Sequence, residues 1–420
     1  MAQSEREARL TDFNELCNNS AKVKNFSVAD GWGMRKRPRV LRLRYALMLA
    51  GLILLVAAFL PERELEREAT GIVEAETLLS RSDLVAITPE LIRDHRLTID
   101  WDFQSSIEAM AQRYKVDFTA VVVMDACRGD ILALYGKNEE GQDCSLCLNA
   151  YLGASLFKIV TAVAALDQGD VTSTSTFSYS GKPHTLYRYQ LSAEPQRWSH
   201  KVTLARAFAL SNNVVFGKLG THQLREEPLL LTAMRLGFWK TPLVEADCVP
   251  STLFIPRTDY NLAELASGFN RRTRISPIHA AQMITAVLNS GSMVVPRLVQ
   301  SDQVELVDAM SAEAASELSS MMVKTVRAGT VSRAFRSVRY DRVLKHVTIG
   351  AKSGSINGDE PEGRRNWFVG FARHDSTGDA IAIACLVIRG DYYWIEADDF
   401  SRRIIRSYFS RPTTVAQKNS

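Results

Sequence analysis

Cysteine is scarce, six residues in 420, too few to build a fold on disulfides. The seven histidines (His95, His184, His200, His222, His279, His346 and His374) never fall at zinc-ligand spacing with those cysteines, so neither a metal centre nor another cofactor is expected. An excess of one charge sign is missing too. Fifty-one basic residues stand against 47 acidic ones, and a net +4 sets up no global field that would favour nucleic acid as a partner. What is present, 46% hydrophobic and 23% charged residues, is the composition of an ordinary folded protein with room for roughly two or three domains.

One long apolar run interrupts this texture: Tyr45–Leu60, YALMLAGLILLVAAFL, without a charge. At about 1.5 Å per residue it covers about 24 Å, short of the roughly 30 Å hydrocarbon core, so Leu43, Arg44 and neighbouring side-chain stems are expected to complete a span. A buried core helix is the competing reading, and the flanks decide against it. Arg35, Lys36, Arg37, Arg39, Arg42 and Arg44 crowd before the run, whereas Glu62, Glu64 and Glu66 follow it. Positive flanks stay in the cytoplasm, which places the chain after Pro61 outside. A cleaved signal peptide starts with a short charged region; the long polar stretch here favours an uncleaved signal anchor. The expected plan is a cytoplasmic tail (1–44), a transmembrane anchor (45–60), a short charged stalk or reduced pedestal (61–96), a body (97–410) and a C-terminal tail (411–420), held in the inner membrane by a single pass. The basic cluster is also suited to anionic lipid head groups, although topology alone accounts for it.

In the body, a helix is expected over Phe103–Tyr114, then the strands FTAVVVM (Phe118–Met124) and ILALY (Ile131–Tyr135) around a turn at Cys127, Arg128 and Gly129. Three apolar runs near the C-terminus, HVTIGA, NWFVGFA and AIAIACLVI, precede a closing helix over Glu396–Phe409. Two strands from the front and three from the back predict an α+β fold: one antiparallel five-stranded sheet, flanked by helices, embracing a helical middle.

Within that middle, LGASLFKIVTAVAALDQG begins a helix near Gly153, so Ser155 sits near its N-terminus and Lys158 one turn on, within reach. A serine hydroxyl needs a base to take its proton, and a lysine serves only where burial or a second cation lowers its pKa. Leu156, Phe157 and Ile159 supply apolar surroundings. Alone, Ser-x-x-Lys is an ordinary helix start. Two further motifs follow in order: Ser211-Asn212-Asn213 in TLARAFALSNNVVFGKLG, and Lys352-Ser353-Gly354 in HVTIGAKSGS on a predicted strand.

With this trio the chain resembles the transpeptidase domain of penicillin-binding proteins, in a monofunctional, class B-like form with a reduced pedestal. LTID (Leu97–Asp100), the ASGFN segment around Gly268 with ISPIHAAQMITAVLNSG after it, AGTVSRAF (Ala328–Phe335) and NWFVGF (Asn366–Phe371) extend the likeness. The resemblance implies a peptidoglycan D,D-transpeptidase, inhibited by β-lactams, in which Ser155 attacks the penultimate D-alanine carbonyl of a stem peptide and Lys158 accepts the proton. Ser211 would relay it to the leaving amine, and Asn213 would orient Lys158 and bind substrate backbone. Lys352 and Ser353, the latter in place of the commoner threonine, would bind the substrate carboxylate. Gly354 would admit the substrate to the strand, and the N–H groups of Ser155 and Ser355 would form the oxyanion hole. A D,D-carboxypeptidase, a membrane-anchored β-lactamase and a non-catalytic penicillin-binding scaffold or sensor carry the same trio.

Elsewhere, INGDEPEGRRN with Asp359, Glu360, Glu362, Arg364 and Arg365 reads as a solvated hairpin tip. Cys144 and Cys147 in CSLC favour a structural disulfide over redox catalysis, and Cys385 reads as a buried thiol. Segment 61–96 is expected to be too short for a glycan polymerase domain, which makes a separate membrane glycan polymerase the expected partner through Tyr45–Leu60 and the stalk; a helix acting only as a tether is the alternative.

Overall fold

Runs that are apolar at every position, not at every second one, build the central sheet, because helices cover both of its faces. The computed structural model describes residues 79–114, 118–193, 197–389 and 395–411. The anchor expected at Tyr45–Leu60 and the stalk before residue 79 lie outside them, and among the described residues no helix is long and apolar enough to cross a membrane. Six strands form the sheet: β1 (Phe118–Asp125), β2 (Ile131–Asn138), β3 (Gly141–Gln142), β4 (Val347–Asp359), β5 (Glu362–His374) and β6 (Ala380–Arg389). Their order is β4-β5-β6-β1-β2-β3, with every neighbouring pair antiparallel. The expected count of five is therefore corrected to six. The added member, β3, has only two residues, too short to show a periodicity of its own.

Seven helices matter to the site: α1 (Trp101–Arg113), α2 (Lys158–Asp167), α3 (Asn213–Lys218), α4 (Asp259–Ser267), α5 (Pro277–Leu288), α6 (Ala312–Ala328) and α7 (Ala397–Phe409). On one sheet face, Val121 and Val123 of β1 and Ile381, Ile383 and Cys385 of β6 meet Phe103 and Ile107 of α1 and Phe400, Ile404 and Ile405 of α7. Each such fully buried side chain contributes about 1.5–3 kcal/mol. On the other face, Ala120, Val122, Ala382 and Ala384 meet the helical middle. Its axis is α5, in which Pro277 through Val287 are all buried. Ser276 caps that helix by accepting the His279 N–H at 3.3 Å, and Pro277 occupies its first turn. The first helix begins two residues earlier than Phe103 because Asp100 caps it, accepting the Phe103 N–H at 3.0 Å.

Two sequence expectations need correction. Cys144 and Cys147 form no disulfide: both thiols are free and buried, and Cys147 Sγ points into the sheet, donating to the carbonyls of Val121 (3.4 Å) and Tyr135 (3.3 Å). Burial pushes the Cys144 thiol up to about 11, which keeps it protonated and inert. At the hairpin tip Asp359, Glu360, Glu362 and Arg364 are exposed as expected, but Arg365 is buried and lies against Gly358, where a side chain would meet Arg365 Nη1 at 2.5 Å.

Candidate active site

The Ser155 segment is bent before it is helical. Ala154 holds φ at +46°, a left-handed conformation that costs a non-glycine residue free energy and persists only under external constraint. The constraint comes from α4. Its C-terminal Gly268, at φ +64°, lies so close that a Cβ there would stand 2.0 Å from the Ala154 carbonyl oxygen. Ala154–Phe157 then forms one 3₁₀ turn that runs into α2, so Ser155 sits in that turn and Lys158 opens the α-helix.

Lys158 is completely buried. Its Nζ lies 2.9 Å from Ser155 Oγ, 2.7 Å from Asn213 Oδ1 and 2.5 Å from the carbonyl oxygen of Ser267, one of the terminal acceptors that α4 leaves unpaired. Three partners match the three protons of an ammonium; a neutral amine donates to Asn213 and Ser267 and turns its lone pair to the Ser155 hydroxyl. Burial first, and the nearby Lys352 second, hold its pKa well below the ordinary lysine range. The α4 carbonyl end favours the cation, yet the loss of water outweighs it.

The amide of Asn213 is aimed. Its backbone N–H donates to Pro183 O (2.7 Å) and its Nδ2 to His184 O (2.8 Å), which leaves Oδ1 to face Lys158. Asn212 caps α3 through Val215 N–H at 3.1 Å, the local reason it turns from the cleft. Ser211, at φ +55°, accepts from Lys352 Nζ at 3.1 Å, so its hydroxyl bonds to the second lysine and not to Lys158.

Lys352 sits on β4, the edge strand of the sheet. It is completely buried, donates also to Ser353 O at 2.5 Å, and burial lowers its pKa to about 7. Each lysine stands over a ring of one aromatic pair: Lys158 Nζ 5.7 Å from the Phe216 centroid and Lys352 Nζ 5.7 Å from that of Phe208, with the two rings 6.2 Å apart. The Ser353 hydroxyl meets Thr330 Oγ1 at 2.5 Å, and Ser355 Oγ accepts from Arg364 Nε at 2.7 Å. At Gly354 an added Cβ would stand 3.3 Å from Gly153 O and 3.4 Å from Ala154 Cβ, so the bare backbone here also lets the Ser155 turn sit close against β4.

Three distant segments thus bring together two hydrogen-bonded groups, Ser155–Lys158–Asn213 and Ser211–Lys352, with Ser353, Gly354 and Ser355 along the edge strand. Phe208, Phe216, the Ser267 carbonyl, the His184 carbonyl and Thr330 were not singled out from sequence. Phe208 and Phe216 flank Ser211 in the same quoted stretch, a signal within reach; the carbonyls belong to backbone and leave no trace in residue type.

Residues 119–398 match the family model of the penicillin binding protein transpeptidase domain. The chain belongs to that family. Among solved structures, this penicillin-binding protein domain is similar to the D,D-transpeptidase domain of a peptidoglycan glycosyltransferase from Eggerthella lenta, at 19% identity over 79% of this chain and 90% of that one, with a TM-score of 0.59. It is also similar to the transpeptidase domain of penicillin-binding protein 3 from Burkholderia pseudomallei (18% identity, 75% and 95% of the two chains, TM-score 0.60). A third is penicillin-binding protein A from M. tuberculosis, captured as a ceftriaxone acyl-enzyme complex (21% identity, 75% and 78%, TM-score 0.57). At these identities the likeness shows a shared fold. No curated protein matches the sequence.

Proposed function

We propose that this chain is a serine-type D,D-transpeptidase that cross-links peptidoglycan stem peptides. One observation carries the reading: the wholly buried Lys158 amine, pressed toward neutrality, 2.9 Å from the Ser155 hydroxyl. Ser155 Oγ attacks the penultimate D-alanine carbonyl as its proton passes to Lys158, and the N–H groups of Ser155 and Ser355 receive the developing oxyanion. Collapse breaks the peptide bond and leaves an ester on Ser155; the proton held by Lys158 goes to the departing D-alanine nitrogen, and Ser211, which in the free site bonds to Lys352 at 3.1 Å, has to turn toward Lys158 to relay it. The amine of a second stem peptide attacks that ester and forms the cross-link; the acyl C–O bond to Ser155 breaks, and the proton lost by the amine passes through Lys158 to Ser155 Oγ and restores the hydroxyl. Asn213 keeps the Lys158 amine in place, and Lys352 with Ser353 holds the substrate carboxylate.

A β-lactam would acylate Ser155 in the same way. Hydrolysis, as in a carboxypeptidase or β-lactamase, would resolve the same ester with water in place of the amine. Tyr45–Leu60 tethers this domain outside the cytoplasmic membrane, beside a separate membrane glycan polymerase that supplies the strands. The test is the fate of the acyl group: purified enzyme mixed with a labelled penicillin is expected to label promptly and release slowly, and to form cross-linked dimers from strands bearing stem peptides. Release within seconds, or shortened peptides without dimers, would count against transpeptidation.

A further inference from the structure

The loop between the short strands Thr176–Tyr179 and His200–Thr203 reaches the site and also shows an unexplained face to solvent. Its first part is rigid around Gln190, whose side chain is 1% exposed. Gln190 Nε2 donates to Ser180 O at 2.8 Å, and its Oε1 accepts from the Tyr187 N–H at 2.8 Å and the Thr185 hydroxyl at 3.1 Å. Ser180 and Ser199 hydroxyls close the neck at 2.9 Å. Side chains along Leu186–Tyr189 divide. The Leu186 carbonyl accepts from Tyr260 Oη at 2.8 Å and Arg188 lies 4.9 Å over the Tyr260 ring, so these bind the loop to α4. Tyr187 and Tyr189 point outward, 54% and 55% exposed, their rings stacked 5.9 Å apart and only 10° from parallel. Two half-exposed tyrosines held parallel on a hydrogen-bonded loop present a small aromatic area to solvent next to the site.

We infer that the Tyr187–Tyr189 stack is a platform for the sugar backbone of the glycan strand whose stem peptide enters the Ser155 site. The inference rests on the transpeptidase reading and names where the rest of that substrate lies. Three observations select the occupant. First, the platform is continuous with the site: three residues before Tyr187, the His184 carbonyl holds Asn213. The loop that carries the two rings therefore also borders the pocket into which the stem peptide is proposed to enter. Second, size argues against a stable protein partner. Tyrosine side chains bury about 150–250 Å² each when fully covered, so two that are half-exposed offer only about that much together, whereas stable protein interfaces take about 800 Å² per partner. Third, the chemistry fits. An aromatic face is electron-rich and meets the electron-poor C–H face of a pyranose ring, and the phenol hydroxyls at the rim hydrogen-bond to sugar hydroxyls. The one cation between them, Arg188, is committed to Tyr260, which argues against an anionic ligand.

The full chain and its Tyr187→Ala/Tyr189→Ala form are compared on a labelled penicillin, on a free stem peptide, and on uncross-linked glycan strands bearing that peptide. Penicillin and free peptide are expected to react within about twofold of wild type, which also verifies folding, while kcat/KM on glycan-borne peptide falls about tenfold, the scale of one lost aromatic contact. The Tyr187→Phe/Tyr189→Phe form, which keeps the ring faces, is expected to recover most of that loss. Equal rates of wild type and the alanine form on glycan-borne peptide, or equal losses on all three substrates, would overturn the platform. Failure of wild type to react with penicillin would instead overturn the transpeptidase reading, so the two failures are distinct.

Discussion

Two buried lysines, each over one ring of the Phe208–Phe216 pair, set the chemistry at the scale of single residues. An ammonium at either place forfeits its hydration, and two together repel, so the pair resists full protonation. Lys158→Ala deletes the proposed base and also empties a fully buried site. It is expected to lose two to four orders of magnitude in the acylation rate, the usual range for a general base, with the fold retained at a lowered melting temperature. Near wild-type acylation, followed by stopped-flow with a labelled penicillin, would mean that another group activates Ser155. Lys352 gives the pH dependence. Its pKa of about 7 lies below the ordinary lysine value, so it carries its charge below that pH and loses it above. In the proposed mechanism the substrate carboxylate needs that charge, so the second-order acylation constant of the free enzyme is expected to fall as pH rises through about 7. A constant flat from pH 6 to 9 would contradict the role given to Lys352.

At the scale of elements, the site is a junction of the 3₁₀ turn before α2, the end of α4 and the edge strand β4, fitted through two glycines. Gly268→Ala places a Cβ 2.0 Å from Ala154 O at a left-handed φ, so α4 has to withdraw, taking the Ser267 carbonyl from Lys158. A displacement of about 1 Å in such a constellation costs about a hundredfold in rate, which is the loss expected for acylation of this variant. A wild-type rate would show that the contact between α4 and the turn is dispensable. This junction marks the limit of what the sequence discloses. The convergence of Ser155, Lys158, Ser211, Asn213 and Lys352 was legible because the chemistry proposed for them needs side chains of fixed type in ordered motifs, and the long apolar strands because both faces of the sheet are covered. The strain at Ala154, the seat of Gly354 and the aim of Asn213 depend on contacts between distant segments. Cys144 and Cys147 misled because spacing alone does not show that one thiol points into the sheet, and Arg365 because its charge conceals a packing role against Gly358.

At the scale of the whole molecule, residues separated by nearly two hundred positions meet only because β4, from the C-terminal part, forms the sheet edge beside the turn that opens α2. The sheet thereby unites front and back strands into one body, which the proposed anchor holds outside the membrane. A reporter fused after Ser420 is expected to be active only outside the cytoplasm, and cytoplasmic activity would remove the anchor from the proposal. The central claim, that this convergence makes Ser155 the acylated nucleophile, is tested most directly by locating a penicillin adduct. The intact chain is treated with a β-lactam and mapped by peptide mass spectrometry, alongside its Ser155→Ala form. One adduct per chain on Ser155, and none in the variant, is the predicted result; an adduct on another residue, or equal modification of both proteins, would contradict it.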